Sequence, residues 1–376
     1  MTDAWTVDPV RRSIVGAREH ATKVSSVAPT LVPIEGPIKG PMEAAISACI
    51  VPIDFSPPSM MALQWAAFLA NASALRVIAL HALQPSHVAS TDRTVAAQID
   101  DACERMTKLC EPFATGVSPM EVVATIADPV DAIVQESQRV EHPMIVMGNR
   151  GLSRLRRVFL GSVADRVERA AQCPVLVVHE DNEPPERVST RGDDVLRDHV
   201  LRAVIGIDFH RSSEVALAGF RALARGIQRA GSRVEITLIS VLQQAQYVDV
   251  SDVPVVMAPD FGALEQDTTE RLRRVAKALR IEGFIPQIVV DRGDAALRIL
   301  QCARENRADM IVVGRHAQHP LSRLLLGSTA ERVLHGSRVP VLTARDATTA
   351  SISSSVGTAT AYEMPSRPKV QARIVT

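Results

Sequence analysis

The chain has 376 residues, 46% of them apolar, and its 42 basic side chains are matched by 42 acidic ones. Balanced charge excludes a nucleic-acid binder that works through excess positive charge, and no apolar run approaches the roughly 18 residues of a membrane-spanning helix. Aromatic residues reach only 3%, so the cores must be built from Val, Ile, Leu and Ala, as suits buried parallel strands covered by helices. The start, Met1-Thr2-Asp3-Ala4, has no apolar signal core, and the five cysteines (Cys49, Cys103, Cys110, Cys173, Cys302) show no CxxC spacing. Both features point to a cytoplasmic protein whose thiols act as small buried hydrophobes.

In chain order, residues 1–43 lack periodicity and carry Pro29, Pro33, Pro37 and Pro41, which predicts a disordered, polyproline-like arm. A first domain over 44–179 alternates strand and helix. Its strands are Ala48–Ile53, Leu75–His81, Met120–Ile126, Pro143–Met147 and Val175–Val178, and its helices Ser59–Asn71, Thr91–Pro112, Asp128–Val140 and Ser162–Ala171. The strands are short continuous apolar runs, as expected when helices cover both faces of a parallel sheet. Asp128-Pro129 reads as a helix start, because Asp caps free N–H groups and Pro fits the first turn. Residues 180–200, with Pro184-Pro185 and Arg191-Gly192-Asp193-Asp194, read as a linker. A second domain over 201–345 repeats the strands at Ala203–Ile207, Arg233–Ser240, Pro286–Asp291, Met310–Val313 and Val339–Thr343, with Asp294 in the place of Asp128 and an insertion near Gln243 to Gln266. The tail, 346–376, is rich in Ser, Thr and Ala and is expected to be disordered.

The repeat is detailed. Gly148-Asn149-Arg150-Gly151 and Gly161-Ser162 correspond to Gly314-Arg315-His316-Ala317 and Gly327-Ser328, and Ala164-Asp165-Arg166-Val167 falls on Ala330-Glu331-Arg332-Val333 without a gap. Ile53-Asp54-Phe55 likewise matches Ile207-Asp208-Phe209. A repeat this long is a domain and not a solenoid unit, whose period runs to roughly 20–50 residues. The expected fold is α/β: two tandem doubly wound domains, each a five-stranded parallel sheet of order 3-2-1-4-5 with helices on both faces. In such a sheet ligands sit beyond the carboxyl ends of the strands, where the order reverses. That crevice lies between strands one and four and is lipped by Asp54 and Gly148. A carboxylate there can accept from a ribose hydroxyl or an adenine amino group, and the backbone N–H groups of Gly148 to Gly151 and of Gly161 to Val163 suit phosphates. Ser162 opens a helix, whose dipole favours an anion. The glycines are expected to turn the backbone with positive φ and to let it approach a phosphate.

These residues resemble the ATP-binding subclass of the universal stress protein family, whose signature G-x2-G-x9-G-(S/T) is met by Gly148, Gly151, Gly161 and Ser162. The resemblance implies a Rossmann-like domain that takes ATP with Mg²⁺ as a regulatory ligand in the stress response. It also implies nucleotide contacts from Pro52, Asp54, Ala82, Ala127, Met147 and Val163. Arg150, in a basic cluster with Arg154, Arg156 and Arg157, is a further candidate for the phosphates. The second unit keeps Asp208, Gly314, Gly327 and Ser328 but has Ala317 where the pattern needs glycine, which predicts a degenerate second site. His316 and His319 stand at H-x-x-H spacing without a third ligand in view, so no protein metal site is expected.

No catalytic acid or base stands out, so the expected role is binding and not catalysis. A nucleotide-independent interaction module, a slow ATP hydrolase and cyclic AMP as the ligand remain the alternatives. The fifth strands, Cys173 to Val178 and Val339 to Thr343, are apolar edges that invite pairing. The family resemblance implies dimers through this strand, so the sequence leaves open an internal pseudo-dimer or a homodimer.

Overall fold

The computed structural model describes residues 46–85, 92–114, 120–150, 160–184, 200–242, 261–315 and 328–345, together with the backbone of 362–363 and 370–375. The first unit runs β1 (Ala48–Pro52), α1 (Pro57–Ser73), β2 (Arg76–Leu83), α2 (Asp92–Cys110), a single 3₁₀ turn (Glu111–Phe113), β3 (Met120–Ile126), α3 (Pro129–Arg139), β4 (Pro143–Gly148), α4 (Ser162–Ala170) and β5 (Val175–Val178). The second runs β6 (Val200–Gly206), α5 (Arg211–Arg229), β7 (Arg233–Leu242), α6 (Phe261–Ile281), β8 (Ile285–Arg292), α7 (Ala295–Glu305), β9 (Met310–Gly314), α8 (Ser328–Gly336) and β10 (Val341–Ala344). All ten strands expected from the apolar runs are present, their ends shifted by a few residues.

Within each unit the strands pair in parallel, in the orders β3-β2-β1-β4-β5 and β8-β7-β6-β9-β10. The two sheets then join: β5 and β10 pair antiparallel, with Val177 opposite Val341, Leu176 opposite Leu342 and Val175 opposite Thr343. The internal pairing of the fifth strands is therefore part of the fold. Alternate residues of each strand feed opposite faces. Cys49 and Val51 of β1 belong to one core with Trp65 of α1 and Phe220 of α5, whereas Ala48 and Ile50 belong to another with Ile133 of α3 and Val333 of α8. Both cores run through both units. Helices α1 and α5 meet across the seam, where Ser73 Oγ donates to the carbonyl of Leu223 at 3.4 Å.

The tail departs from the expected disorder in two short pieces. Tyr362–Glu363 (β11) pairs antiparallel with Val370–Val375 (β12), and β12 lies parallel to β3, so the joined sheet has twelve strands. Strand β12 covers the edge that β3 would otherwise present, one way of blunting an exposed ladder. The proline-rich arm, the linker from 185 to 199 and most of the insertion after β7 lie outside the described residues.

Gly148 and Gly314 have a different physical reason from the one their spacing suggested. Neither has positive φ; each lies where its strand end touches the start of a helix. A Cβ on Gly148 would stand 2.7 Å from the backbone and Cβ of Pro58, and one on Gly314 would stand 2.4 Å from the backbone of Ser212 and Ser213. Backbone atoms cannot yield as side-chain tips do, so overpacking here costs about 1–3 kcal/mol. Gly314→Ala is accordingly expected to lower the urea midpoint in nucleotide-free protein; an unchanged midpoint would refute the close contact.

All five cysteines are free and buried, and burial pushes their thiols up, Cys49 and Cys110 to about 12 and Cys173 and Cys302 to about 11. At pH 8 a thiol of pKa 11 is ionised to about one part in a thousand, and the thiolate is the reactive form. A disulfide reagent should therefore leave Cys49, Cys110, Cys173 and Cys302 unmodified in native protein on the time scale of minutes and modify all five cysteines in denaturant. Rapid modification of native Cys173 would contradict the packing of the seam.

Candidate functional site

A cleft of about 390 Å³ opens at the carboxyl ends of β1 and β4, the point where the strand order reverses. Of the residues singled out in the sequence, Pro52, Asp54, Ala82, Met147, Gly148, Arg150, Gly161, Ser162 and Val163 line it. Ala127 sits just behind the wall, its N–H donating to the carbonyl of Leu83 at 3.1 Å. Gly151 lies outside the described residues. Leu80, Leu83 and Ile133 supply apolar surface to the same cavity. They come from the end of β2 and one face of α3, and no motif marks them; only the strand order brings them to the cleft.

The β1–α1 turn is held in three ways. Asp54 Oδ1 accepts from the backbone N–H of Ser56 at 3.0 Å and from its hydroxyl at 2.5 Å. Ser56 Oγ in turn caps α1 through the N–H of Ser59 at 3.4 Å. Between them Phe55 adopts φ of 63°, the left-handed region, at a cost of order 1–3 kcal/mol for a bulky residue. Its ring is clamped in that posture. The Arg105 guanidinium lies 4.2 Å above it and the His81 ring 5.0 Å away, while His81 Nδ1–H donates to the carbonyl of Ile53 at 2.7 Å. The second unit repeats the device, with Phe209 at φ of 59° beneath Arg271 at 3.9 Å. Two such non-glycine residues at equivalent turns show that the turn itself is selected, and the carboxylates of Asp54 and Asp208 are set by it.

Helix α4 begins opposite this turn. Its N-cap, Gly161, is extended at φ −65° and ψ 154°, so Gly161 does not need positive φ, and no side chain caps the helix. By contrast Ser56 caps α1, Asp128 caps α3 through Val130 N–H at 2.9 Å, and Asp294 caps α7 through Leu297 N–H at 2.9 Å. The uncapped start of α4 therefore presents N–H groups and the positive end of its dipole to the cleft, an arrangement that suits an anion. The start is fixed in place by a backbone relay, Gly161 N–H to Asn149 O and Asn149 N–H to Val178 O, both at 2.7 Å. An ion pair between Arg166 of α4 and the capping Asp128 adds to this at 3.3 Å, and Arg332 and Asp294 repeat it in the second unit at 2.5 Å. Hydrogen bonding from Arg332, then from Leu297 N–H, holds the Asp294 carboxyl below its usual range.

The second unit has a cleft at the corresponding place. It measures about 740 Å³ and is lined by Asp208, Gly314 and Ser328 together with Thr268 of α6. His210 stands where the first unit has Ser56. Its N–H donates to Asp208 Oδ1 at 2.9 Å, and its Nδ1 is 3.4 Å from Oδ2. Gly327, Ala317, His316 and His319 lie outside the described residues. Thr268 comes from the helix that follows the insertion, a segment whose register no repeat pattern supplied.

Comparison with known proteins follows the same outline. The sequence model of the universal stress protein family matches residues 47–179 and 201–345. A universal stress protein of Mycobacterium tuberculosis is 34% identical over 233 residues, which cover 58% of this chain and 66% of that relative. The chain thus spans slightly less than two thirds of the first curated relatives it matches. A second M. tuberculosis universal stress protein is 28% identical over 317 residues, 80% of this chain and 97% of the relative. The crystal structure of a universal stress protein from Archaeoglobus fulgidus superposes with a TM-score of 0.57 at 20% identity, covering 80% of this chain and 98% of that one. With both repeats matched by the family model and the β-α order observed in each, the chain belongs to the universal stress protein family as a tandem of two such domains.

Proposed function

We propose that the first unit binds ATP with Mg²⁺ as a regulatory, non-catalytic ligand in the stress response. The observation that carries this reading is that the uncapped N-terminus of α4 and the fixed carboxylate of Asp54 face one cleft of about 390 Å³, within the size of small-ligand sites. In this reading the N–H groups at Ser162 and Val163 take phosphate oxygens, Asp54 takes a ribose hydroxyl, and Leu80, Leu83 and Ile133 pack on the base. Among the described residues no three His, Cys, Asp or Glu side chains gather as a metal cage, so Mg²⁺ would travel on the phosphates. It would neutralise their charge there and shape the tail of the nucleotide.

A second reading, in which both units bind nucleotide, is favoured by one observation: the second cleft is the larger and keeps Asp208, Gly314 and Ser328. Calorimetric titration of nucleotide-stripped protein with ATP and Mg²⁺ separates the two. One equivalent of heat is expected. Ser162→Asp, which sets a negative charge at the helix start without opposing the helix dipole, should weaken binding at least tenfold, and Ser328→Asp should leave it unchanged. Two equivalents, each lost with one variant, would establish the two-site reading, and no heat at all would overturn both. Cyclic AMP serves as competitor: displacement of ATP at comparable concentration would reassign the ligand, and sustained phosphate release would overturn the non-catalytic role.

A further inference from the structure

The seam between the units contains a buried ion pair that the repeat does not share. Arg315 Nη1 lies 3.1 Å from Glu168 Oε2, with side chains 2% and 0% exposed. The guanidinium also donates to the backbone carbonyls of Glu168, Ala171 and Cys173, the last two at 3.3 and 3.1 Å. Thr343 Oγ lies 2.9 and 3.0 Å from the two carboxylate oxygens. Arg315 follows β9 and Thr343 is in β10, both in the second unit, while Glu168 is on α4 of the first.

In the gapless alignment of the repeats, Asn149 occupies the place of Arg315, Leu334 that of Glu168 and Val177 that of Thr343. The seam's second half is thus expected to oppose neutral Asn149 and Leu334 where the first half opposes two charges. We infer that this asymmetry makes the β5/β10 face selective: the first unit's seam accepts the second unit's seam and rejects a copy of itself. Two first units paired through β5 would bury two Glu168 side chains opposite Asn149, with His179 in the place of Arg345 and no guanidinium for either, so that each must stay charged without its partner or take up a proton. Two second units would bury two Arg315 guanidiniums opposite Leu334, with no anion. Breaking a buried pair leaves an uncompensated charge, which is far more costly than losing an exposed one, and penalising the wrong partner in this way is a source of specificity. Even in its own seam the pair is imperfect, since Arg315 Nε has no partner among the described residues. That fits a group kept for partner choice over stability.

An independent steric feature points the same way. Gly226 of α5 meets α1 so closely that a Cβ there would lie 2.4 Å from the Cβ of Ser73 and 3.0 Å from its Cα. The first unit has Ala72 at the corresponding position, so a pair of first units would bring two such Cβ atoms against Ser73.

The test uses the full chain with a protease site placed between residues 185 and 199, folded and then cut. Light and heavy-isotope copies are mixed in the lowest urea concentration at which label exchange proves that the halves have separated, and intact pairs are weighed by native mass spectrometry after the urea is removed. Pairs of one N-terminal and one C-terminal half are expected, with like pairs at least about tenfold below the half of all pairs that free choice would give. Glu168→Leu combined with Arg315→Asn, which removes the charge difference between the two halves of the seam while Ala72 would still face Ser73 in a pair of first units, should raise the pairs of two C-terminal halves at least severalfold. Like pairs near half in the cut wild type would overturn the inference, and so would a double variant that folds and still forms only unlike pairs.

Discussion

The two repeats of the described structure are joined at the three-residue antiparallel contact between β5 and β10. Val175, Leu176, Val177, Val341 and Leu342 are fully buried there, each worth about 1.5–3 kcal/mol relative to exposure. The contact also removes an exposed edge from both sheets. Because it is antiparallel while every pairing inside each unit is parallel, the strands of the two units run in opposite directions. Their carboxyl ends, and with them the two clefts, therefore open on opposite sides of the joined sheet. Ligands bound in the two clefts would thus lie at opposite ends of the strands.

Much of the fold was legible because parallel strands covered on both faces must be continuous apolar runs, and Met310 to Val313 or Val175 to Val178 admit no other easy reading. The helix starts at Asp128 and Asp294 were legible for an equally local reason: a carboxylate before a first turn has few better uses than capping it. The seam was not legible beyond the apolar character of its strands. Glu168 and Arg315 lie in segments with no shared periodicity, and the aligned repeat sets them against Leu334 and Asn149, so neither is marked as one half of a pair. Only the strand pairing shows that both positions are buried. Strands β11 and β12 were missed because a low apolar content argues against an independent core, whereas a strand added to an existing edge takes its hydrogen bonds from β3 and needs no core of its own.

The glycines show how a correct motif can carry an incorrect reason. Gly148 and Gly314 stand at the position expected for close approach, yet what approaches is the first turn of α1 or α5. The same close packing sets the turn that contains Phe55 or Phe209, and so places Asp54 or Asp208. A position that looks specific for phosphate is therefore held first by the fold, which is why the second unit retains Gly314 even though its loop has diverged elsewhere.

The divergence of the second loop has a physical reading in Arg315. Its backbone N–H donates to Ala344 O at 2.9 Å, just as Asn149 N–H donates to Val178 O, so the loop leaves the sheet in the same way in both units. Its side chain, however, turns into the seam, where one carboxylate and three carbonyls of the first unit hold it. A guanidinium so engaged is withdrawn from the second cleft; Arg150, which lines the first cleft, corresponds to His316, outside the described residues. Helix α4 is the element common to both effects. Its N-terminus faces the first cleft, and Glu168, near its other end, anchors the residue that begins the second unit's loop. The duplicated domain has thus become asymmetric at the position where its two copies are mechanically joined.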